Sequence, residues 1–323
     1  MSERFIVTGG AGFIGSNLVR ALNARGHADV IVVDHLNHPQ KRENLKYLRY
    51  ADFFDKSEFR EMLHANRVAP VNGIFHLGAC SSTTETDERY LDDNNFRYTQ
   101  EICQWSLQTG ARFVYASSAS TYGDGSKGYS DDDESTRGLE PLNLYGKSKQ
   151  KFDLWALQSG ALREIAGLKY FNVFGPGEDH KGEMRSLVNK AYQQIVSDGK
   201  IRLFKSHRSD YHDGKQMRDF ITVEDAVAVT LFFYDHRQIS GIFNCGTGQA
   251  RTWLDLARAL FAAMERAEAI EFIDMPENLR DKYQYYTQAD MSKLRDVGYK
   301  TEFQSIESGV RRYVIDYLSL QDV

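Results

Sequence analysis

The first twenty-five residues constrain this chain more than any other stretch. Arg4-Phe5-Ile6-Val7-Thr8 is a short apolar run that reads as a buried strand, and Phe13 to Arg25 carries helical periodicity through Phe13, Leu18, Val19 and Leu22. Between them lies Gly9-Gly10-Ala11-Gly12-Phe13-Ile14-Gly15. In a strand–turn–helix unit, Gly9 permits the tight turn, Gly12 lets the backbone approach a pyrophosphate, and Gly15 lets helix and strand pack closely. The helix N-terminus adds free N–H donors and partial positive charge for phosphates. A second strand, Val30-Ile31-Val32-Val33, ends in Asp34 about twenty residues on, which completes a dinucleotide-binding unit.

Strands and helices then alternate as a doubly wound parallel α/β sheet demands. Ser57–Asn66 reads as a helix, 73–77 as a strand, Asn95–Gln108 as a helix, 112–116 as a strand, Leu142–Ser159 as a helix and 167–171 as a strand. The strands are nearly continuous apolar runs, as expected when helices cover both faces. After Phe171 the alternation loosens. A helix over Gly182–Ser197, a strand over Ile201–Phe204 and a polar loop over Lys205–Gln216 suggest a substrate lobe. Phe220–Val223 and a capped helix then return to the main domain, and Gly241–Asn244 is a further buried strand. The expected division is a Rossmann domain of 1–172 plus 218–250 and a smaller C-terminal α/β lobe of 173–217 plus 251–323. The acidic run Asp131-Asp132-Asp133-Glu134 reads as a solvated loop.

Tyr145 and Lys149 lie four apart and therefore on one helix face. A free tyrosine titrates near about pH 10, and a nearby cation favours its phenolate. Ser118, at the end of the 112–116 strand, is by itself a turn residue. Opposite this pair it becomes a group that orients a carbinol for proton exchange with Tyr145. Asp34 with His35 suggests NAD, because an acid there accepts ribose hydroxyls, whereas Lys41 and Lys56 are suited to the 2′-phosphate of NADP. On charge alone, Lys41, Arg42 and Lys46 are equally a solvated helix face.

The net charge of -5 gives no nucleic-acid or anionic-membrane footprint, and no apolar run is long enough to span a membrane. Cys80, Cys103 and Cys245 are too few and too scattered for a disulfide ladder or a metal motif. No secretory leader is evident, so the cytoplasm is the expected compartment. The His and Asp residues of the 207–213 loop lack fixed ligand geometry, and no metal is expected.

Gly9–Gly15 with Ser118, Tyr145 and Lys149 resembles the extended short-chain dehydrogenase/reductase superfamily. Gly78-Ala79-Cys80-Ser81-Ser82-Thr83-Thr84-Glu85, Tyr170–Pro176 leading to His180-Lys181-Gly182, and Tyr283 with Thr287-Gln288-Ala289-Asp290 are similar to the ADP-L-glycero-D-manno-heptose 6-epimerases within it. That resemblance implies oxidation at C6 of ADP-D-glycero-D-manno-heptose to a transient 6-ketone on bound NADP. Return of the hydride to the other face yields the L-glycero epimer for lipopolysaccharide inner-core heptose. It implies Tyr145 and Lys181 as the two acid/bases, although Lys181 alone reads as a loop lysine. Lys149 and Ser118 complete the catalytic set.

The same resemblance implies cofactor contacts at Lys41, Lys56, Leu77, Gly78, Ala79, Cys80, Ser81, Asn94 and Val173. It implies substrate contacts at Asn172, Glu183, Lys190, Phe204, Lys205, Ser206, His207, Arg218 and Tyr283. Glu183 and Lys190 stand where serine and histidine are common, and 208–215 looks like an insertion. The resemblance further implies a homo-oligomer, a homopentamer, with no nucleic-acid or membrane partner. A UDP-hexose 4-epimerase shares the Tyr–Lys core and is the enzymatic alternative; a non-catalytic NADP-binding protein of the same fold is the other. A 4,6-dehydratase would need acid/base groups where Ala119 and Ser120 stand.

Overall fold

The computed structural model describes residues 3–280 and 283–321. Its strands are β1 (Phe5–Thr8), β2 (Val30–Asp34), β3 (Asp52–Asp55), β4 (Gly73–His76), β5 (Arg112–Ser118), β6 (Ala166–Tyr170), β7 (Asn172–Phe174), β8 (Ile201–Phe204), β9 (Met217–Thr222), β10 (Gly241–Cys245), β11 (Ala250–Thr252) and β12 (Ile270–Ile273). Seven of them form one parallel sheet in the order β3-β2-β1-β4-β5-β6-β10. The order reverses between β1 and β4, and in such sheets ligands bind beyond the strand ends at that crevice. β1 and β2 are buried throughout, as their unbroken apolar runs require. One core, including Val7, Val32, Phe75, Leu168 and Phe243, packs on one face of the sheet. A second, including Ile6, Ile74, Phe113 and Phe152, packs on the other.

β7 follows β6 after the single residue Phe171 and enters a different, three-stranded sheet of order β11-β9-β7. The 220–223 run is therefore β9 of this small sheet, paired parallel with β7 and antiparallel with β11. Thr222 caps the helix Val223–Asp235, accepting from the Asp225 N–H, and that helix packs back onto the main sheet. β8 and β12 form a third, two-stranded sheet, and a separate core gathers Val188, Ile195, Leu260 and Val310 beneath the small sheets.

Four expectations need correction. β3 is a short edge strand whose acids at both ends and half-exposed residues hid it among loops. The helix expected from Gly182 starts at Leu187. Gly182 takes φ +54°, which breaks the preceding turn, and Ser186 caps the new helix by accepting from the Asn189 N–H. The helix expected from Asn95 runs from Glu88 to Thr109, with a π turn over Asp92–Arg97. Finally, the acidic run is solvated only in part: Asp132, Asp133 and Glu134 are exposed, the last two opening a short helix, whereas Asp131 turns inward. Asp131 is buried and accepts the Asn244 N–H at 2.6 Å. Burial pushes its carboxyl up to about 6. Asp132 caps the short helix after it through the Ser135 N–H. Among the described residues no helix is long and apolar enough to cross a membrane.

Candidate active site

A cavity of about 900 Å³ opens beyond the carboxyl ends of the main sheet, where the small sheets meet it. Its floor is the glycine turn. Gly9, at φ +68°, lies so close to the next strand end that a Cβ would meet the Gly78 nitrogen at 2.7 Å. A Cβ on Gly15 would stand 2.0 Å from the Gly9 carbonyl oxygen. Gly12 caps the helix Phe13–Ala24 without a side-chain acceptor, so the N–H groups of its first turn face the cavity unblocked. Above Gly12 sits His180, whose Nε2 would be 3.9 Å from an added Cβ and whose buried Nδ1 has no hydrogen-bond partner among the described residues. A bare glycine cradle and a helix N-terminus fit the pyrophosphate of a dinucleotide.

Gly15→Ala is therefore expected to forfeit cofactor binding and about 1–3 kcal/mol of stability, read by cofactor content after purification and by denaturant unfolding. A variant that keeps its cofactor would show that the close approach is dispensable.

Asp34 does not wait free for a ribose. Its carboxylate accepts the Ala11 N–H at 2.9 Å, the His35 N–H at 2.7 Å and Lys41 Nζ at 2.8 Å. It thus fastens the glycine turn to the end of β2 and holds Lys41 at the cavity wall. His35 is turned away to Asp55. Lys56 donates to Asn94 at 2.6 Å, and neither lines the cavity. The π turn explains Asn94 and its neighbour. It buries both, and Asn95 clamps the Cys80 backbone from both sides while its amide reaches Ser148 at 3.0 Å. The wall Leu77, Gly78, Ala79 and Ser81 is fixed by this clamp, with Cys80 pointing aside.

The helix Leu144–Gln158, capped by Asn143, brings Tyr145 and Lys149 onto the cavity opposite Ser118. Burial pushes the Tyr145 phenol up, and the Ser118 hydrogen bond opposes this. Lys149 donates to the Ala116 carbonyl at 2.8 Å, and burial pulls its ammonium down to about 8. In the ligand-free site, then, Ser118 rather than Lys149 is the group that favours phenolate.

Lys181 reaches the cavity from the loop after β7, its ammonium 5.4 Å from the centre of the Phe13 ring. Burial pulls it down, and the charge of Glu178 works the other way. Glu178 is itself fully buried, accepting the Ser186 hydroxyl at 2.7 Å and the Ser186 N–H, so it organises the loop that carries Lys181.

Arg218, on β9, is buried without a carboxylate partner among the described residues. Its guanidinium lies 5.1 Å from the Tyr283 ring and 5.6 Å from that of Trp253, and Trp253 Nε1 donates to the Tyr283 hydroxyl at 2.8 Å. Burial pulls Arg218 down. Asn172, Val173, Glu183, Lys190 and Phe204 also line the cavity. Lys205, Ser206 and His207 do not. They pair with Asp274, Asp213 and Tyr285 respectively, which stiffens the 205–213 loop beside the mouth. Trp253 and His180 are among the wall residues that sequence reading gave no role. Trp253 carries no motif, and His180 is visible only as part of the string around Lys181.

Residues 5–246 match the NAD dependent epimerase/dehydratase family. The ADP-L-glycero-D-manno-heptose-6-epimerase of Nitratidesulfovibrio vulgaris is 53% identical, the alignment covering 98% of this chain and 99% of the relative. That of Fusobacterium nucleatum subsp. nucleatum is 43% identical over 98% of each. The crystal structure of the Helicobacter pylori ADP-L-glycero-D-manno-heptose-6-epimerase superposes with a TM-score of 0.80 at 25% identity, covering 97% of this chain and 95% of that one. A UDP-N-acetylglucosamine 4-epimerase from Methanobrevibacter ruminantium M1 has the same fold, with a TM-score of 0.83 at 23% identity over 99% of both chains. With a nicotinamide-type cradle, a Tyr–Lys helix and this kinship over nearly its whole length, the chain belongs to the NAD dependent epimerase/dehydratase family and, within it, to the ADP-L-glycero-D-manno-heptose-6-epimerases.

Proposed function

We propose that this enzyme inverts C6 of ADP-D-glycero-D-manno-heptose, with Tyr145 and Lys181 as the paired acid/base groups. The observation that carries the reading is the convergence of Ser118, Tyr145, Lys149, Lys181 and Arg218 on the one cavity that the glycine turn also lines. When bound, the nicotinamide cofactor would accept a hydride from the carbinol carbon and return it to the opposite face of the ketone. Tyr145 accepts the hydroxyl proton at its phenolic oxygen while Ser118 holds the substrate oxygen in line. Lys181, lowered by burial, serves the other face, where a proton must be supplied to the re-formed alcohol. Lys149 holds the ribose, and its charge favours phenolate once it turns from the Ala116 carbonyl toward the ligand. Arg218 has no carboxylate partner among the described residues, which suits it to the substrate diphosphate as a bidentate donor, with Tyr283 and Phe204 supplying apolar walls.

NADP is the proposed cofactor. Lys41 neutralises Asp34, so that wall presents a cation and a compensated acid instead of a bare carboxylate. On this reading residues 1–172 with 218–250 hold the cofactor, and 173–217 with 251–323 close over the sugar nucleotide.

The test is incubation of the pure protein with ADP-D-glycero-D-manno-heptose in heavy water, without added cofactor, following C6 by NMR. Inversion with no deuterium at C6 is expected, and UDP-galactose should not turn over. Solvent deuterium at C6 would reject an internal hydride return.

A further inference from the structure

Beneath the cavity lies an ion pair that the chemistry does not use directly. Asp153 and Lys169 are both 0% exposed, with Lys169 Nζ 2.8 Å from Asp153 Oδ2. Asp153 stands four residues after Lys149 and eight after Tyr145, on the same helix face. Its Oδ2 also accepts the Ser117 hydroxyl at 2.7 Å, and its Oδ1 accepts the Tyr115 hydroxyl at 2.9 Å. Lys169 lies beside Ser117 across the β5–β6 register and donates a second bond to Thr121 Oγ1 at 2.8 Å. Thr121 in turn donates to the Ser118 carbonyl at 2.8 Å. Ser118 is thus bracketed by the residue before it and the third residue after it, and both brackets end on one carboxylate carried by the Tyr145 helix.

Stability gives no reason for this arrangement. A buried pair recovers little more than its desolvation, and apolar replacements of both partners are often neutral or stabilising. Lys169 is nevertheless retained in the middle of a strand otherwise filled by Ala166, Gly167, Leu168 and Tyr170. We infer that Asp153 and Lys169 are positioning residues, which fix the Ser118 hydroxyl against the Tyr145 phenol by locking the end of β5 to the helix Leu144–Gln158. The charge of Asp153 also works against the loss of the Lys149 proton caused by burial. Neither residue lines the cavity, so they act through Ser117 and Thr121 and not on the substrate.

The inference rests on the assignment of Ser118 and Tyr145 as the groups that meet the reacting oxygen. The deciding variant is the double substitution D153N/K169M, which removes both charges together and leaves no unpaired ion in the core. Bound cofactor and thermal midpoint establish that it is folded. Its kcat with ADP-D-glycero-D-manno-heptose is expected to fall by about 10- to 100-fold, because loosening a near-attack geometry by roughly 1 Å has that effect. KM should stay within about threefold, since substrate contacts are untouched. A folded, cofactor-loaded double variant with wild-type kcat would overturn the inference, whatever happens to its melting temperature.

Should the double variant not fold, Ser117→Ala decides. It cuts one tether and leaves the pair intact, and a drop in kcat of about three- to tenfold at unchanged KM is expected; an unchanged kcat overturns the inference. Tyr145→Phe run alongside separates the two layers. Turnover by that variant would remove the catalytic assignment itself. Its inactivity beside a wild-type-like double variant would remove only the positioning role.

Discussion

Tyr145→Phe is expected to keep its cofactor, fold normally and lose epimerisation by about 10²–10⁴-fold, the range for removal of one general acid/base. The ring stays, so the packing of the helix Leu144–Gln158 is preserved. The phenol's polar interaction with Ser118 goes, and Ser118 keeps its bond from the Ser120 N–H at 3.1 Å. The stability lost is that of one hydrogen bond, about 1 kcal/mol. The chemistry suffers far more, because no other described group in the cavity sits with Ser118 to take the hydroxyl proton. Burial holds the phenol in its protonated form before substrate binds, so wild-type kcat/KM should climb with pH until phenolate is fully formed. The phenylalanine variant should lack that limb. NMR turnover over a pH series reads both, and a variant within threefold of wild type at every pH would sink the assignment.

The second large effect runs in opposite directions for stability and for activity. Lys149→Met should abolish measurable turnover, at least about 100-fold, while making the ligand-free protein more stable. The buried ammonium titrates near 8 against an ordinary 10.5. Between those values the unfolded chain binds more protons than the folded one, so stability rises with pH through that window. Below pH 8 the destabilisation is complete and amounts to about 3 kcal/mol at about 1.36 kcal/mol per unit. Methionine removes it but leaves the Ala116 carbonyl without its donor, a loss of about 1–3 kcal/mol. A net gain of roughly 1 kcal/mol at pH 7 follows, and it should vanish or reverse as pH is raised past 10. Denaturant unfolding at pH 7 and pH 10 tests this. A methionine variant that is less stable at pH 7, or whose advantage grows with pH, would show that Lys149 carries no burial strain.

Those features of the site that depend on local spacing were legible in the sequence. Gly9 and Gly15 announce close backbone approaches because a Cβ at either would collide with backbone, and Tyr145 and Lys149 share a face by helical geometry alone. The main strands were legible because helices on both sides demand unbroken apolar runs, as in Val30–Val33. What escaped depends on partners distant in the chain. Asp131 looks like part of a polar loop until Asn244, on β10, offers it an N–H. Asp34 looks ready for a ribose until Ala11 and Lys41 occupy it. β3 is framed by acids at a sheet edge, and with only Phe53 and Phe54 between them to pack on the cores it is too short to show a pattern. The π turn leaves no compositional trace, since one extra residue in a helical repeat shifts which side chains turn inward without altering what they are. Lys169 is the sharpest case. A lysine in a strand reads as surface, and only the carboxylate of Asp153, brought in by another helix, makes it the most enclosed cation of the site.

One residue, Phe171, separates β6 from β7, and its own N–H is bonded to the Cys245 carbonyl at 3.0 Å. The main-sheet ladder between β6 and β10 thus runs on to the last residue before the chain crosses into the small sheet. The segment from Gly175 to Gly182 is tied over the first helix as well, Asn17 donating to the Pro176 carbonyl at 2.8 Å and Asn44 to the Gly177 carbonyl at 3.0 Å. Chain fastened in this way around the glycine cradle suits a reaction whose borrowed hydrogen has to be given back by the same molecule that took it.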